Sequence, residues 1–309
     1  MGVGKALMSS ASRAASASTI NTVVIPVAGR GTRLLPATKA IRKELLPVGR
    51  KPLLLYAVEE AVASGAEHII FVAAPNDRSV SQYFSRDLEL EGYLKRSGRS
   101  EEAAALERLC TSACFTFVPQ EFPRGLADAI LCARKETDGR PFGVILPDAL
   151  ILSQHPCIGQ LTSCYLRHGG PVIATRIIER HEAPGYGVLV IDPSGTGSDV
   201  GVVRVRSMVE KPRPECAPSL YGIFGRYILE PGIFDAIERL RIDASEELQL
   251  TDALNIYCQT NPVFGYIFEG EHFDTGNWLG YSKAVLECML ADGEIGSTLT
   301  QYFGTRRHD

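Results

Sequence analysis

The sequence lacks the patterns by which small metal domains and membrane spans are recognised. Its eight cysteines form no CxxC pair, and no histidines stand at zinc-site spacing, which excludes the common zinc-binding arrangements. No stretch approaches the roughly 18 to 20 apolar residues that a spanning helix needs. The net charge of -4 gives no general positive field for nucleic acid or an anionic membrane. An anionic ligand must therefore meet a local cluster of basic residues.

The cysteines that are present favour a reducing compartment. Several stand in apolar runs, as Cys132 and Cys258 do, where a reduced thiol packs as a small hydrophobe. We therefore expect a cytoplasmic protein.

The first 19 residues contain no acidic residue and are rich in serine and alanine. They loosely resemble an organelle transit peptide but lack the apolar core of a secretory signal. Ala6 also stands where an N-myristoylation signal needs serine or threonine. We expect residues 1–20 to be a disordered extension, and a misassigned start codon is the alternative.

From residue 22 onward, short apolar runs alternate with helical patterns, which is typical of a sheet covered by helices. Two strand-helix-strand units are predicted, within 22–73 and 114–147. After about residue 170 the apolar runs indicate a more antiparallel continuation, and the last helix is predicted at 277–290 with Asn277 as its N-cap. The pattern predicts an α/β fold with a mixed, mostly parallel sheet flanked by helices.

The densest cluster of functional residues is VAGRGTRLLPATKAIRKELLP at 27–47, directly after the first predicted strand. Open α/β sheets bind ligands at this edge. A dinucleotide-binding GxGxxG motif is excluded by Leu34, and no GK[ST] of a P-loop occurs. Gly29 and Gly31 would let backbone N-H groups approach a phosphate, and several cations are close by in sequence. A tight turn with solvated charges is the alternative for an isolated GxG. The nearby cations are Arg30, Arg33, Lys39, Arg42 and Lys43.

This segment resembles the signature of sugar-1-phosphate nucleotidyltransferases, and its PATKA continuation is similar to the bacterial UTP-glucose-1-phosphate uridylyltransferases. The resemblance covers about residues 22–290. It continues, in family order, through FVPQ with GLADAILCA (117–133), VILPDALI (144–151), YGVLVID (186–192), VEKPRPECAPS (209–219), GRYIL (225–229), ELQLTDAL (247–254) and FDTGNWLGY (273–281).

The sequence departs from the family at three places. Arg42 stands where proline is usual, Ala127 and Asp128 replace a Gly-His pair, and Tyr221 and Gly222 replace an Asn-Leu pair. None of these positions carries a predicted catalytic residue, but they affect the expected substrate preference.

The resemblance implies a Rossmann-like nucleotidyltransferase domain at 21–292, followed by a C-terminal tail at 293–309. Its nucleotide-binding half would span about 21–150 and its sugar-binding half about 151–292.

The same resemblance implies the contacts to the nucleotide. Arg33 and Lys43 are expected to meet the triphosphate and to neutralise the leaving pyrophosphate. For Gln120 taken alone, a surface polar residue would be the better interpretation, but its place before the GL motif favours a base contact, for which a side-chain amide offers a donor and an acceptor. The remaining nucleotide contacts implied are Glu44 and Gly125 on the uracil side, beside Gln120, and Ala28, Gly29 and Gly31 along the nucleotide.

Two aspartates are candidates for a metal site. Asp148 follows a predicted strand at a proline, and Asp274 lies in FDTG after another strand. Mg²⁺ takes one or two protein carboxylates together with phosphate oxygens and waters. An aspartate after a strand is more often a turn-former, but both motifs resemble metal motifs of the family. We therefore expect Mg²⁺ as the cofactor.

The sugar side is expected around VEKP. By resemblance, Glu210 holds sugar hydroxyls, Lys211 grips the phosphate of the sugar 1-phosphate, and Gly187 and Gly225 lie against the sugar. His272 adjoins the metal motif, but the nucleophile is a phosphate oxygen that is already largely ionised near neutral pH. No general base is needed, and we interpret His272 as structural.

The implied reaction joins UTP and glucose 1-phosphate into UDP-glucose and pyrophosphate, with Arg33, Lys43 and Lys211 as the catalytic cations. Two alternatives stay open: a transferase of the same fold for another nucleotide or sugar phosphate, and a non-catalytic regulatory paralogue. The family suggests a homodimer or homotetramer. No nucleic-acid or membrane partner is expected.

Overall fold

The computed structural model describes residues 20–193, 199–240 and 247–305. Of the predicted N-terminal extension, residues 1–19 lie outside this range, as do residues 306–309 of the predicted tail. The strands are β1 (Thr22–Pro26), β2 (Pro47–Val48), β3 (Lys51–Pro52), β4 (His68–Ala73), β5 (Cys114–Pro119), β6 (Phe142–Ile145), β7 (Ala149–Leu152), β8 (Val172–Ile177), β9 (Gly187–Ile191), β10 (Val202–Glu210), β11 (Tyr221–Leu229), β12 (Val263–Ile267) and β13 (Glu271–Asp274). The α-helices are α1 (Leu53–Ala63), α2 (Ser79–Tyr83), α3 (Leu88–Arg96), α4 (Ser100–Thr111), α5 (Leu126–Cys132), α6 (Cys157–His168), α7 (Gly232–Glu238), α8 (Leu250–Cys258), α9 (Trp278–Leu290) and α10 (Ile295–Thr305).

A nine-stranded sheet forms the centre of the described residues, in the order β5-β4-β1-β6-β11-β8-β12-β10-β9. The parallel pairs are β5 with β4, β4 with β1, β1 with β6, and β8 with β12, while the other neighbours are antiparallel. The expected α/β fold with a mixed sheet is confirmed. The expected excess of parallel pairs is not found, because β9 to β12 pair mainly as antiparallel neighbours, which need no helical crossover.

The strands β1, β4 and β6 are buried on both faces of the sheet, as their continuous apolar runs predict. Val23, Val24 and Ile25 of β1 are fully buried. On one face, α1 packs beside α6, and its stripe of Leu54, Ala57, Val58 and Ala61 faces the core. The helices α5, α7 and α8 cover the other face. This packing fixes where the strands end, and so where the loops of the site begin.

The C-terminal part adds two helices outside the sheet. Asn277 caps α9 as predicted, since its Oδ1 accepts a hydrogen bond from the Gly280 N-H at 2.9 Å. Residues 295–305, predicted as part of a tail, form α10 and pack against α9. Within the described ranges, no helix combines the length and the apolar character that crossing a membrane requires.

Candidate active site

The segment after β1 forms a loop of three short 3₁₀ turns rather than a regular helix. Gly31 has a φ of 63°, in the left-handed region that favours glycine. A Cβ there would come within 3.1 Å of Lys43 Cβ and 3.2 Å of Thr38 Cγ2. The loop therefore closes over the stem of Lys43, while Gly29 stays exposed at the surface and Ala28 is buried beside it.

Lys43 connects this loop to the end of β6. Its Nζ lies 2.6 Å from Asp148 Oδ2 and 3.8 Å from Glu44 Oε1. Burial acts to lower the pKa of the Lys43 ammonium, but the two carboxylates outweigh it and raise the pKa above its usual value. Burial acts to raise the pKa of Asp148, and the Lys43 ammonium holds it below the usual range. The pair is therefore charged at neutral pH.

Asp274 is positioned next to Asp148 by two contacts of the backbone. Asp274 pairs with Ala149 where β13 meets β7. The N-H and the Oγ1 of Thr275 both donate to the Asp148 carbonyl, each at 2.8 Å. The Asp274 carboxylate is oriented in turn by the Gly276 N-H at 3.0 Å and the Asn277 Nδ2 at 2.7 Å. Two strand ends thus bring the predicted metal ligands together.

Arg33 lies beside these two aspartates. A Cβ on Gly276 would come within 2.6 Å of Arg33 Nη2 and 3.0 Å of Asp274 Oδ1, so glycine there leaves room for the guanidinium. Arg33, Asp148 and Asp274 line one cavity of about 220 Å³, which we call the aspartate cavity. Lys211 also lines this cavity.

A second cavity of about 270 Å³, the glutamate cavity, is lined by Gly187, Glu210 and Thr251. Glu210 Oε2 accepts a hydrogen bond from Thr251 Oγ1 at 3.2 Å, and its Oε1 lies 3.4 Å from Lys211 Nζ. Lys211 has a φ of 46°, unusual for a residue with a side chain. Its N-H donates to the Tyr186 carbonyl at 3.0 Å, which fixes the strand end that carries it.

The two cavities adjoin each other. Lys211 and Gly225 line both of them. Gly225 has a φ of 63°, and a Cβ there would lie 3.0 Å from Leu146 Cβ and 3.1 Å from Ala149 Cβ. Glycine thus lets β11 lie close to the loop that carries Asp148. The structure brings the predicted metal ligands and the predicted sugar residues around two adjoining cavities.

Gln120 and Glu44, predicted beside the base, lie outside these two cavities. Gln120 follows β5, and its N-H donates to the Ala73 carbonyl at the end of β4 at 2.8 Å. Gly125, with a φ of 104°, begins the turn into α5 and packs against the Leu248 backbone. Glu44 is 1% exposed beneath Lys43, and neither of its carboxylate oxygens has a hydrogen-bond partner among the described residues. The nucleotide contacts assigned to these residues stay predictions.

Burial raises the pKa of Glu44 to about 7, partly offset by Lys43. A carboxyl whose pKa is higher in the folded than in the unfolded state contributes stability below its unfolded pKa. That contribution is lost as pH rises towards 7. We expect the wild-type chain to lose on the order of 2 kcal/mol more unfolding free energy between pH 5 and pH 8 than Glu44→Gln does. Urea unfolding at both pH values measures this difference, and parallel pH profiles for the two proteins would contradict it.

His272 lies in the aspartate cavity wall, with its ring 4.6 Å from that of Phe224 in an edge-to-face arrangement. Burial lowers the pKa of His272 to about 4, helped by Arg226, so the imidazole is neutral at pH 7. The structural role of His272 stays a prediction.

The sequence analysis did not identify Arg226 and Glu60. Arg226 is 1% exposed. Its Nη1 donates to the Leu146 carbonyl at 3.0 Å and to the Ala149 carbonyl at 2.7 Å. These two residues lie on either side of Asp148 in the chain. Arg226 Nη2 donates to Glu60 Oε2 at 2.8 Å. An arginine within the apolar run GRYIL was the available indication, because a charge in a buried strand needs a partner.

Comparison with known proteins shows the family to which this chain belongs. Residues 22–289 match the family model described as nucleotidyl transferase, and the chain belongs to that family. Within it, the chain is 38% identical over 283 residues to the UTP-glucose-1-phosphate uridylyltransferase YngB of Bacillus subtilis (strain 168), covering 92% of this chain and 94% of that protein. It is also 38% identical over 289 residues to the UTP-glucose-1-phosphate uridylyltransferase of Streptococcus pneumoniae serotype 4, covering 92% and 95%.

The chain is also similar to solved structures of UDP-glucose pyrophosphorylases. A UDP-glucose pyrophosphorylase complexed with UDP-glucose is 34% identical, with a TM-score of 0.77 over 93% of this chain and 100% of the other. A UTP-bound UDP-glucose pyrophosphorylase from Acinetobacter baumannii is 32% identical, with a TM-score of 0.85 over 94% and 100%.

Proposed function

We propose that this chain transfers the uridylyl group of UTP to glucose 1-phosphate, giving UDP-glucose and pyrophosphate. The observation that carries this proposal is the place of Lys211 in both cavities, between the aspartates and Glu210. In this proposal, a cation at the junction of the cavities meets both the phosphate of the sugar 1-phosphate and the phosphates of the nucleotide. The names of the relatives support UTP and glucose 1-phosphate as the substrates.

In this mechanism, the residues bind and orient groups that are already charged. Glu210, held by Thr251, accepts hydrogen bonds from sugar hydroxyls, and Lys211 orients the phosphate oxygen that attacks the α-phosphorus. Arg33 and Lys43 stabilise the negative charge that develops on the departing pyrophosphate. The attacking oxygen needs no general base, and positioning together with charge stabilisation supplies the catalysis.

We propose that Asp148 and Asp274 hold Mg²⁺. They supply two carboxylates to one cavity, and no group of three or more histidine, cysteine or acidic side chains among the described residues is arranged to hold a metal ion. That set fits Mg²⁺, which takes one or two carboxylates and fills its other positions with phosphate oxygens and waters. When bound, the ion would neutralise phosphate charge. The Lys43 ammonium, 2.6 Å from Asp148 Oδ2, would keep that carboxylate oriented.

The regulatory alternative is less well supported. A paralogue that only binds ligand would not need Arg33 against the metal ligands, and here Arg33 lines the aspartate cavity.

We further propose a cytoplasmic homodimer or homotetramer. All eight cysteines are free, and α9 exposes a set of large apolar side chains, which is typical of a surface that another subunit covers. These side chains are Trp278, Leu279, Leu286 and Leu290.

A substrate panel tests the function. With glucose 1-phosphate fixed and pyrophosphate release measured, we expect UTP to give a higher kcat/KM than CTP, ATP, GTP or dTTP. With UTP fixed, glucose 1-phosphate should exceed galactose 1-phosphate and mannose 1-phosphate. A higher kcat/KM for another pair would favour the same-fold alternative, and absence of turnover with every pair would favour the regulatory paralogue.

A further inference from the structure

The side-chain amide of Gln120 is held by two acceptors. Its Nε2 donates to Asp128 Oδ2 at 2.8 Å and to the Gly125 carbonyl at 3.2 Å. Gln120 is 5% exposed and Asp128 is 3% exposed, so water competes little for these bonds. Asp128 Oδ1 pairs at the same time with Arg124 Nη2 at 2.6 Å.

This arrangement permits one orientation of the amide. A carboxylate and a carbonyl oxygen accept hydrogen bonds and donate none, so both must face the amide N-H groups. Reversing the amide would place Gln120 Oε1 against two acceptors and leave the amide hydrogens unpaired. Gln120 Oε1 receives no hydrogen bond from the described residues and is not sealed from solvent. Gln120 is therefore left with an acceptor to offer a ligand.

Asp128 is itself rigidly placed. It lies in the first turn of α5, directly after Ala127, whose N-H donates to the Leu248 carbonyl at 3.0 Å. The Leu248 N-H in turn donates to the Arg124 carbonyl at 2.7 Å. These bonds tie the turn before α5 to the Leu248 backbone and so help to position the Asp128 carboxylate.

We propose that Asp128 is a positioning residue that selects the base, because it holds Gln120 so that only an acceptor faces the nucleotide. Uracil presents a donor at N3, and this oxygen accepts from it. Cytosine presents an acceptor at N3, which would face Gln120 Oε1, a second acceptor. The assignment rests on the proposed function, since it takes the nucleotide to lie beside Gln120. It explains selection of UTP against CTP but not against dTTP, whose N3 is also a donor.

The test is the ratio of kcat/KM for UTP to kcat/KM for CTP, measured for wild type and Asp128→Asn. Asparagine keeps the shape of the side chain but is able to accept or to donate, so Gln120 is able to adopt both orientations. We expect the ratio to fall on the order of tenfold, through a higher KM for UTP and a lower KM for CTP. The kcat with UTP at saturation should change little.

Arg124→Gln is the matched control. It removes the ion pair with Asp128 but leaves the bond from Asp128 to Gln120, so its ratio should equal that of wild type. If Asp128→Asn lowers kcat/KM for both nucleotides equally, or if Arg124→Gln lowers the ratio as much, the proposal is overturned.

A measurement on the wild-type protein tests the proposal without relying on the folding of any variant. Wild type should discriminate against CTP and, as strongly, against N3-methyl-UTP, which lacks the donor. Equal use of UTP and either analogue would overturn the proposal while leaving the uridylyl transfer itself supported. Absence of turnover with UTP would instead refute the proposed function.

Discussion

We expect Asp148→Asn to lower kcat about a hundredfold or more while leaving the fold intact. The substitution keeps the shape of the side chain but removes the negative charge that would hold Mg²⁺ next to the phosphates. Removal of one such electrostatic contact typically costs on the order of 10²- to 10³-fold in kcat. Steady-state kinetics at saturating Mg²⁺ measure this loss, and affinity for UDP-glucose without metal should stay near that of wild type.

Lys211→Ala provides the comparison for this variant. It removes a cation from the junction of the two cavities and leaves both aspartates in place. Its KM for glucose 1-phosphate should therefore rise more than that of Asp148→Asn. If Asp148→Asn keeps most of the wild-type turnover at saturating Mg²⁺, Asp148 is not the metal ligand.

The structure changes what the same variant should do to stability. From the sequence alone, two aspartates without metal would repel each other, and Asp148→Asn would leave the melting temperature unchanged or slightly raised. In the structure, Lys43 pairs with Asp148 and holds its pKa low. A lowered pKa means that the pair contributes stability above the unfolded pKa and loses it as pH falls. A decrease of about 1–3 kcal/mol at pH 7 is now expected.

The sequence could predict the elements and the order of the fold, because buried strands and amphipathic helices have clear periodicities. It predicted strand-helix-strand units within 22–73 and 114–147, and these ranges hold β1, α1 and β4 and then β5, α5 and β6. It could also place Asp148 and Asp274 after strands. It could not show that Thr275 joins the two strand ends, because pairing between β7 and β13 depends on register over more than a hundred residues and leaves no local pattern.

Side-chain contacts that depend on the folded chain were equally beyond the sequence. Asp128 was noticed only as a departure from a family pattern, and its bond to Gln120 depends on how the turn before α5 is held by Leu248. Arg42, another departure, pairs with Asp77 and donates to the Gly29 carbonyl at 3.2 Å. In both cases the residue that departs from the family pattern has a partner that only the folded chain brings near.

We expect Arg226→Met to lower the free energy of unfolding by about 3–5 kcal/mol, the usual result of removing one partner of a buried ion pair. Glu60 Oε2 would lose its contact with Arg226 Nη2 at 2.8 Å, and the carbonyls of Leu146 and Ala149 would lose their donor. Urea unfolding at pH 7 measures the loss of stability. The loss of the donor to the two carbonyls should appear as a lower kcat, since these carbonyls flank Asp148.

The double variant Arg226→Met with Glu60→Gln separates the two effects. A neutral glutamine removes the uncompensated charge and still accepts the hydrogen bond that the Ile158 N-H donates to Glu60 Oε1 at 3.0 Å. Most of the lost stability should therefore return. The loop of Asp148 remains without its donors, so turnover should stay at least about tenfold below wild type, because small displacements in a site are costly. A double variant that recovers stability and turnover together would show that the Arg226 guanidinium serves the fold alone, with no part in holding Asp148.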